Sequence, residues 1–253
     1  MALTEIRDMI VFAEEFIKTH ENNLLITMNT SFIEFLARNN AIRFGEFTLK
    51  SGRTSPYFID MGVLTSGMAT VELGKFYANK IKEIYGNNFD VIFGPAYKAI
   101  PMAISTTMAL GSMGIDKKWL FDRKEVKLHG ADANTAFVGS QNIDHGGKVI
   151  ILDDVITTGG TKIEAIEKLE KSLKAEVVGV IIAVNRMEKG VMKGAVEEFE
   201  EKSGVKVHPI TDIDSIFNHL KTTPIDGKLL VSNKTYTTYQ EYMKKYGAHK
   251  SQF

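Results

Sequence analysis

Two adjacent carboxylates, Asp153 and Asp154, stand between an apolar run, Val149 to Leu152, and a Thr/Gly turn made of Thr157, Thr158, Gly159, Gly160 and Thr161. The β-branched run reads as a buried strand. The residues after the turn (Ile163, Ile166, Leu169, Leu173) recur at helical spacing. A strand that ends in a glycine-rich turn and opens a helix presents unpaired N–H groups to an anion, and hydroxyls add donors. Glycines let backbone approach a ligand closely. Carboxylates repel phosphate, so the acid pair should face a neutral, donor-rich part of the same ligand. A sugar phosphate meets both demands, its phosphate on the turn and its hydroxyls on the acids. The plainer alternative is a strand–Asp joint in which one aspartate only caps the helix.

Further residues able to contact such a ligand follow other strands. GPAYK (94–98) carries Lys98, a cation suited to a diphosphate, where a solvated surface lysine is the simpler reading. RKEVKLH (123–129) gathers Arg123, Lys124, Lys127 and His129 ahead of a Gly/Ala/Asn-rich stretch. Such a run is either a solvated face or a lid that closes over a leaving diphosphate, excluding water and stabilising charge. LKSGRTSPYF (49–58) holds Lys50 and Arg53 around a turn, then an aromatic segment. It reads as a packed hairpin or as a hood over a planar base. Arg186, just past the strand 177–184, is a surface arginine or a bidentate partner for a carboxylate.

The elements that must position these groups alternate. Helical periodicity covers 3–18 (Leu3, Ile6, Ile10, Ala13, Phe16, Ile17). A second helix is expected over 31–39, with Ser31 as cap and Glu34 as its box partner. Short strands occupy 44–62, and a helix spans 66–85 with Leu73, Phe76, Tyr77 and Ile81 inward. Strands are expected at 90–93, 119–121, 149–152, 177–184 and 207–210, with helices at 100–113, 162–174 and 212–220. This alternation predicts an α/β fold: a mainly parallel, twisted sheet with helices on both faces, plus a small N-terminal hood. Ligands of such sheets bind beyond the carboxyl ends of the strands. The loops at 94–98, 122–130, 153–161 and 185–187 should therefore converge. The chain divides into a helical extension (1–24), hood elements (25–65) and a core (66–253) with a lid at about 122–138.

Composition narrows the class. In 253 residues, 31 Lys and Arg balance 31 Asp and Glu, which argues against a general nucleic-acid or membrane-surface binder. The chain has no cysteine, hence no disulfide or thiol chemistry, which fits a cytoplasmic protein. No apolar run approaches the roughly 20 residues of a membrane span. The acids of MALTEIRDMIVFAEEF do not suit a secretory signal or an Arg-rich transit peptide.

The string DDVITTGGT resembles the phosphoribosyl-pyrophosphate (PRPP) signature of type I phosphoribosyltransferases. With KSGRTSPYF, FGPAYK, RKEVKLHG and a later strand ending in Asn-Arg, the chain resembles the orotate phosphoribosyltransferase family from about residue 30 to 248. The resemblance implies the type I phosphoribosyltransferase fold and transfer of phosphoribose from Mg²⁺-bound PRPP to orotate, giving orotidine 5′-monophosphate and pyrophosphate. It places the ribose hydroxyls on Asp153 and Asp154. The 5′-phosphate falls on the backbone and hydroxyls of Thr157 to Thr161, with Val155 and Ile156 also placed at PRPP. The diphosphate falls on Tyr97 and Lys98, with Lys50, Arg123, Lys124, Lys127 and His129 reaching PRPP. Orotate falls against Phe58, Ile59 and Thr157, with its carboxylate on Arg186. The metal is implied to ride on PRPP and water, with no protein ligand named. A homodimer with the lid crossing between subunits is implied, as is a cis Ala96–Tyr97 peptide.

The chain departs from the family pattern at Ala99, where glycine is expected, in a slightly longer insert after His129, and in residues 1–24. A second, decarboxylating barrel is not expected, since it would need roughly 200 further residues. The rival readings are a phosphoribosyltransferase for a purine or uracil, and a PRPP-sensing regulator without catalysis. Lys127→Ala is expected to lower kcat by roughly 10²–10³, the scale for one transition-state charge stabiliser. Steady-state turnover near the wild-type value would return Lys127 to the solvated face.

Overall fold

Runs of β-branched and aliphatic residues form the centre of the sheet, and the amphipathic segments between them cover its two faces. The structure is a computed structural model that describes residues 27–49, 52–123, 136–140, 143, 146–157 and 159–248. The expected N-terminal helical extension lies outside the described residues. So do Lys50 and Thr158, and Lys124, Lys127 and His129 of the expected lid.

The first helix, α1 (27–38), is followed by a hairpin of β1 (Ile42–Thr48) and β2 (Thr54–Ile59) and a short 3₁₀ turn (Met61–Val63). Then come α2 (Gly67–Tyr85), β3 (Val91–Phe93), α3 (Ala99–Ser112), β4 (Lys118–Asp122) and β5 (Phe137–Val138). The remainder is β6 (Lys148–Asp153), α4 (Gly160–Leu173), β7 (Glu176–Asn185), α5 (Ala195–Ser203), β8 (Val207–Asp212), α6 (Ile213–Thr222) and α7 (Asn233–Tyr246). The hairpin is its own two-stranded antiparallel sheet. The main sheet runs β5-β4-β3-β6-β7-β8, parallel throughout except for the antiparallel edge strand β5.

Period-2 alternation sorts the strand side chains onto two faces. Ile92, Ile150, Leu152, Ile181 and Ala183 face one cluster, which also contains Phe32 of α1, Tyr77 of α2, Met102 of α3, Phe217 of α6 and Tyr239 of α7. Val91, Phe93, Val149, Ile151, Val180 and Ile182 face the other, with Leu169 of α4 and Phe199 of α5. Tyr57 of the hairpin belongs to the first cluster and is fully buried, so hood and core share one hydrophobic interior.

One expectation is corrected, and three elements went unpredicted. Ser31 does not cap a helix: α1 already runs through residues 27–30, and Ser31 sits on its exposed face. Glu34 pairs instead with Arg38 one turn on, at 3.1 Å. The strand at 207–210 is the last, but two helices follow it. α7 went unpredicted because its inward residues are tyrosines set among threonines and lysines. α5 and β5 were also unanticipated, the first for its few apolar residues and the second for its length. α2 is capped at Ser66, whose side chain accepts from Ala69 N at 3.1 Å.

α2 and α3 pack closely because α2 carries Gly74. A Cβ at that position would lie 2.4 Å from the Ser105 carbonyl oxygen. Backbone on that side has no room to yield cheaply. Gly74→Ala is expected to lower stability by about 1–3 kcal/mol, read as a drop in the thermal unfolding midpoint. An unchanged midpoint would mean the two helices separate freely.

Candidate active site

β6 is buried along its length and delivers Asp153 and Asp154 to the carboxyl edge of the sheet. Asp153 Oδ1 accepts from the Asp154 amide at 2.8 Å, and its Oδ2 forms an ion pair with Lys162 Nζ. Lys162 is buried on the inner face of α4 and also donates to the Val155 carbonyl at 3.0 Å. Asp154 Oδ1 accepts from Val155 N at 2.8 Å, and its Oδ2 lies 3.3 Å from Lys98 Nζ. The backbone is fixed from both sides. Tyr77 of α2 donates to the Asp153 carbonyl at 2.8 Å, and Val184 of β7 donates to the Asp154 carbonyl at 3.1 Å.

Neighbouring loops converge on this pair. Lys98 also bridges to Asp60, after the hairpin, at 3.1 Å, and Asp60 accepts from Gly62 N at 3.0 Å. The 94–98 loop is anchored at the end of β4, where Asp122 Oδ1 accepts from Ala96 N at 2.7 Å. The Ala96–Tyr97 peptide is cis, as expected, and the Tyr97 side chain is exposed. Ala99, the departure from the family pattern, is buried as the first residue of α3. Arg123 donates from its backbone amide to the Ala136 carbonyl at 2.8 Å, and Lys168 donates to its carbonyl at 3.2 Å.

The turn before α4 combines exposed and buried positions. Thr157, Gly160 and Thr161 are exposed, Val155 is half-buried, and the Ile156 side chain is buried in the core, so only its backbone faces the loop. Gly159 has φ of 72° and caps α4 without a side-chain bond. Its missing side chain also serves packing, since a Cβ there would lie 2.8 Å from the Phe199 ring. The cap residue itself thus bonds none of the first amides of α4 through a side chain, which suits anion binding at a helix start.

β2, which leads into Asp60, presents Phe58 and Ile59, both half-buried. The Phe58 ring lies 5.6 Å from that of Phe47, and the Arg43 guanidinium lies 5.2 Å from its centroid. Arg186 immediately follows β7, two residues beyond the amide that binds the Asp154 carbonyl. It is held by Glu188 at 2.7 Å and by the Tyr57 hydroxyl at 3.4 Å. Residues that sequence reading missed are Asp60, Asp122, Lys162 and Glu188. Only Lys162 left a trace: a lysine in helical phase with the inward Ile166 and Leu169. Among the described residues no group of three or more His, Cys, Asp or Glu is placed to cage a metal ion.

Charge is unevenly shared. Burial works against the Lys98 charge, yet Asp154 and Asp60 together raise its pKa. Burial, then the adjacent Asp153 carboxylate, push Asp154 above the ordinary carboxyl value despite Lys98. A carboxyl raised in the folded chain holds its proton more tightly there than in the unfolded chain. Its ionised form therefore costs stability at pH values above the folded pKa, and the cost fades as pH falls through that value. Asp154→Asn is expected to raise the thermal midpoint of the ligand-free protein at neutral pH, with the gain shrinking toward about pH 4. A neutral-pH midpoint at or below wild type would show that Lys98 overcompensates burial.

The chain is similar to known proteins. Residues 63–210 match the phosphoribosyl transferase domain. The orotate phosphoribosyltransferase of Clostridium botulinum (strain Eklund 17B / Type B) is 38% identical over 219 residues, 86% of this chain and 96% of the relative. That of Marinobacter nauticus is 45% identical over 194 residues, 76% of this chain and 88% of its own. The crystal structure of orotate phosphoribosyltransferase from Francisella tularensis matches with a TM-score of 0.71 at 33% identity, over 86% of this chain and 100% of that one. A domain match over more than half of the sequence, and relatives this similar along nearly their whole length, make the chain a member of the orotate phosphoribosyltransferase family.

Proposed function

We propose that this chain transfers the phosphoribosyl group of PRPP to orotate, giving orotidine 5′-monophosphate and pyrophosphate in pyrimidine biosynthesis. The observation that carries the reading is the acid pair at the end of β6 with Arg186 beside it at the end of β7. It is supported by the relatives that share the name orotate phosphoribosyltransferase.

In this reading the bond from the anomeric carbon to the diphosphate oxygen breaks as a ring nitrogen of orotate forms its bond to the same carbon. Positive charge grows on the ribose and negative charge on the departing pyrophosphate. Asp153 and Asp154 hold the ribose hydroxyls and put carboxylate charge near the sugar. The loop from Val155 to Thr161 binds the 5′-phosphate through backbone amides and threonine hydroxyls. Lys98 and Tyr97 meet the diphosphate, joined by Lys50, Arg123, Lys124, Lys127 and His129. Lys98 is paired with Asp60 and Asp154 in the ligand-free chain, so the diphosphate competes for a cation that is already charged and close. Phe58 and Ile59 form the wall against which orotate lies, Thr157 lies at its edge, and Arg186 takes its carboxylate.

Mg²⁺, carried on PRPP and water, supplies charge neutralisation at the diphosphate. The donor set fits such a cation: Asp153 and Asp154 are hard oxygen donors able to face metal-bound water, without the number of ligands a dedicated cage requires. We also infer a homodimer, with the 122–138 lid shared across subunits, and a cytoplasmic enzyme. No helix among the described residues is long and apolar enough to cross a membrane.

The direct test is the loss of orotate absorbance with PRPP and Mg²⁺ present; folded protein giving a flat trace would leave a PRPP-sensing regulator as the reading. Arg186→Ala is expected to raise the KM for orotate by roughly tenfold or more, the scale of a lost charge-assisted hydrogen bond, and that for PRPP far less. Equal effects on the two substrates would remove Arg186 from the base site and reopen the purine and uracil alternatives.

A further inference from the structure

Glu188, two residues beyond Arg186, is 8% exposed. A buried carboxylate is costly unless it is paired and hydrogen-bonded, and this one is both. Its Oε1 accepts from the Tyr57 hydroxyl at 2.6 Å, the Tyr242 hydroxyl at 2.9 Å, and Arg186 Nε and Nη2 at 3.1 and 2.7 Å. Its Oε2 lies 3.9 Å from Arg53 Nη1. The partners come from distant parts of the chain: Tyr57 from β2, Tyr242 from α7, and Arg53 from the turn before β2.

Two consequences follow for Arg186. First, Glu188 takes the Nε–Nη2 edge of the guanidinium, whose carbon lies 5.2 Å from the Tyr57 ring centroid. A planar guanidinium held by one edge and one face keeps its other edge, Nη1 and the second Nη2 hydrogen, in a fixed direction for a carboxylate. Second, burial keeps the Tyr57 phenol protonated and pushes Tyr242 up to about 12, so neither contributes charge near neutral pH. Among the described residues of this cluster the charges are Arg186, Arg53 and Glu188, a net of plus one. An isolated Arg186–Glu188 pair would be neutral and would offer an anionic base little attraction.

We infer that Glu188 is the positioning residue behind Arg186: it fixes the guanidinium and, together with Arg53, leaves the cluster one positive charge, matched to a base bearing a single carboxylate. The inference rests on Arg186 being the carboxylate contact, as proposed above. It places base selection in a set of residues spread over β2, the β7 exit and α7, most of which do not touch the base.

The test compares orotidine 5′-monophosphate with uridine 5′-monophosphate, which lacks the carboxylate, by calorimetric titration of the full chain. The wild type is expected to bind the orotidine nucleotide about tenfold tighter or more, a difference of about 1.4 kcal/mol. Glu188→Gln raises the cluster to plus two, so charge alone would favour the orotidine nucleotide; loss of the guanidinium's orientation is expected to outweigh this and remove most of the preference, while affinity for the uridine nucleotide stays within about twofold. A retained preference, or equal weakening for both nucleotides, overturns the inference and leaves Glu188 a packing residue, with the Arg186 reading intact. A wild type without preference overturns both. Should Glu188→Gln fail to fold, Arg53→Gln leaves Glu188 bound to Arg186 and both tyrosines. It is expected to weaken the orotidine nucleotide severalfold and spare the uridine one, and an unchanged preference overturns the charge assignment.

Discussion

Two neighbouring carboxylates at the mouth of a buried strand would repel each other and resist leaving water. The site exists because each has its own lysine. Lys162 rises from inside α4 beneath Asp153, and Lys98 arrives from the β3 exit to stand between Asp154 and Asp60. These contacts also order the architecture around them. Lys162 ties the start of α4 to the end of β6 through the Val155 carbonyl, and Lys98 ties the 94–98 loop to the segment that follows the hairpin. Asp122 extends the chain of anchors to β4. Four segments distant in sequence are thus brought to one edge by charge, on a frame built by hydrophobic alternation.

The two lysines differ in kind. Lys162 is about as buried as the surrounding core residues, and it neutralises Asp153 and donates to the Val155 carbonyl. Lys98 is exposed over half of its side chain, which leaves it able to exchange a carboxylate for another anion. One acid is therefore held by a buried cation and the other by a half-exposed one. This division suits a site that must keep its geometry when empty and rearrange little when filled.

Much of this was legible in the sequence. The Val/Ile runs of β3, β6 and β7 announce buried parallel strands, and the Asp-Asp-to-Gly turn announces a sugar-phosphate site because few other ligands want acids and amides a few residues apart. The remainder was hidden for identifiable reasons. Asp60, Asp122 and Glu188 each have a partner distant in sequence, 26 residues away for Asp122 and 131 for Glu188, and single-sequence periodicity carries no sign of such pairing. α7 buries tyrosines whose hydroxyls serve as donors, so its inward face reads as polar. Ser31 resembles a cap but sits on the outer face of a helix that starts earlier. Ile156, in a string that reads as a ligand loop, sends its side chain into the core. Lys50, Thr158, Lys124, Lys127 and His129 lie outside the described residues, and their roles rest on the family resemblance alone.

α7 is the last helix described, yet Tyr242 reaches Glu188 and Tyr239 stacks on Phe217 at 3.8 Å. During translation the sheet edge with its acid pair leaves the ribosome well before this helix, and domains assemble as their segments emerge. A nascent chain ending before α7 therefore has the sugar-phosphate loop in hand but lacks one of the donors that set the guanidinium beside it. A chain cut short before α7 would therefore lose support at the Arg186 corner first, while the carboxyl edge of β6 keeps its own anchors.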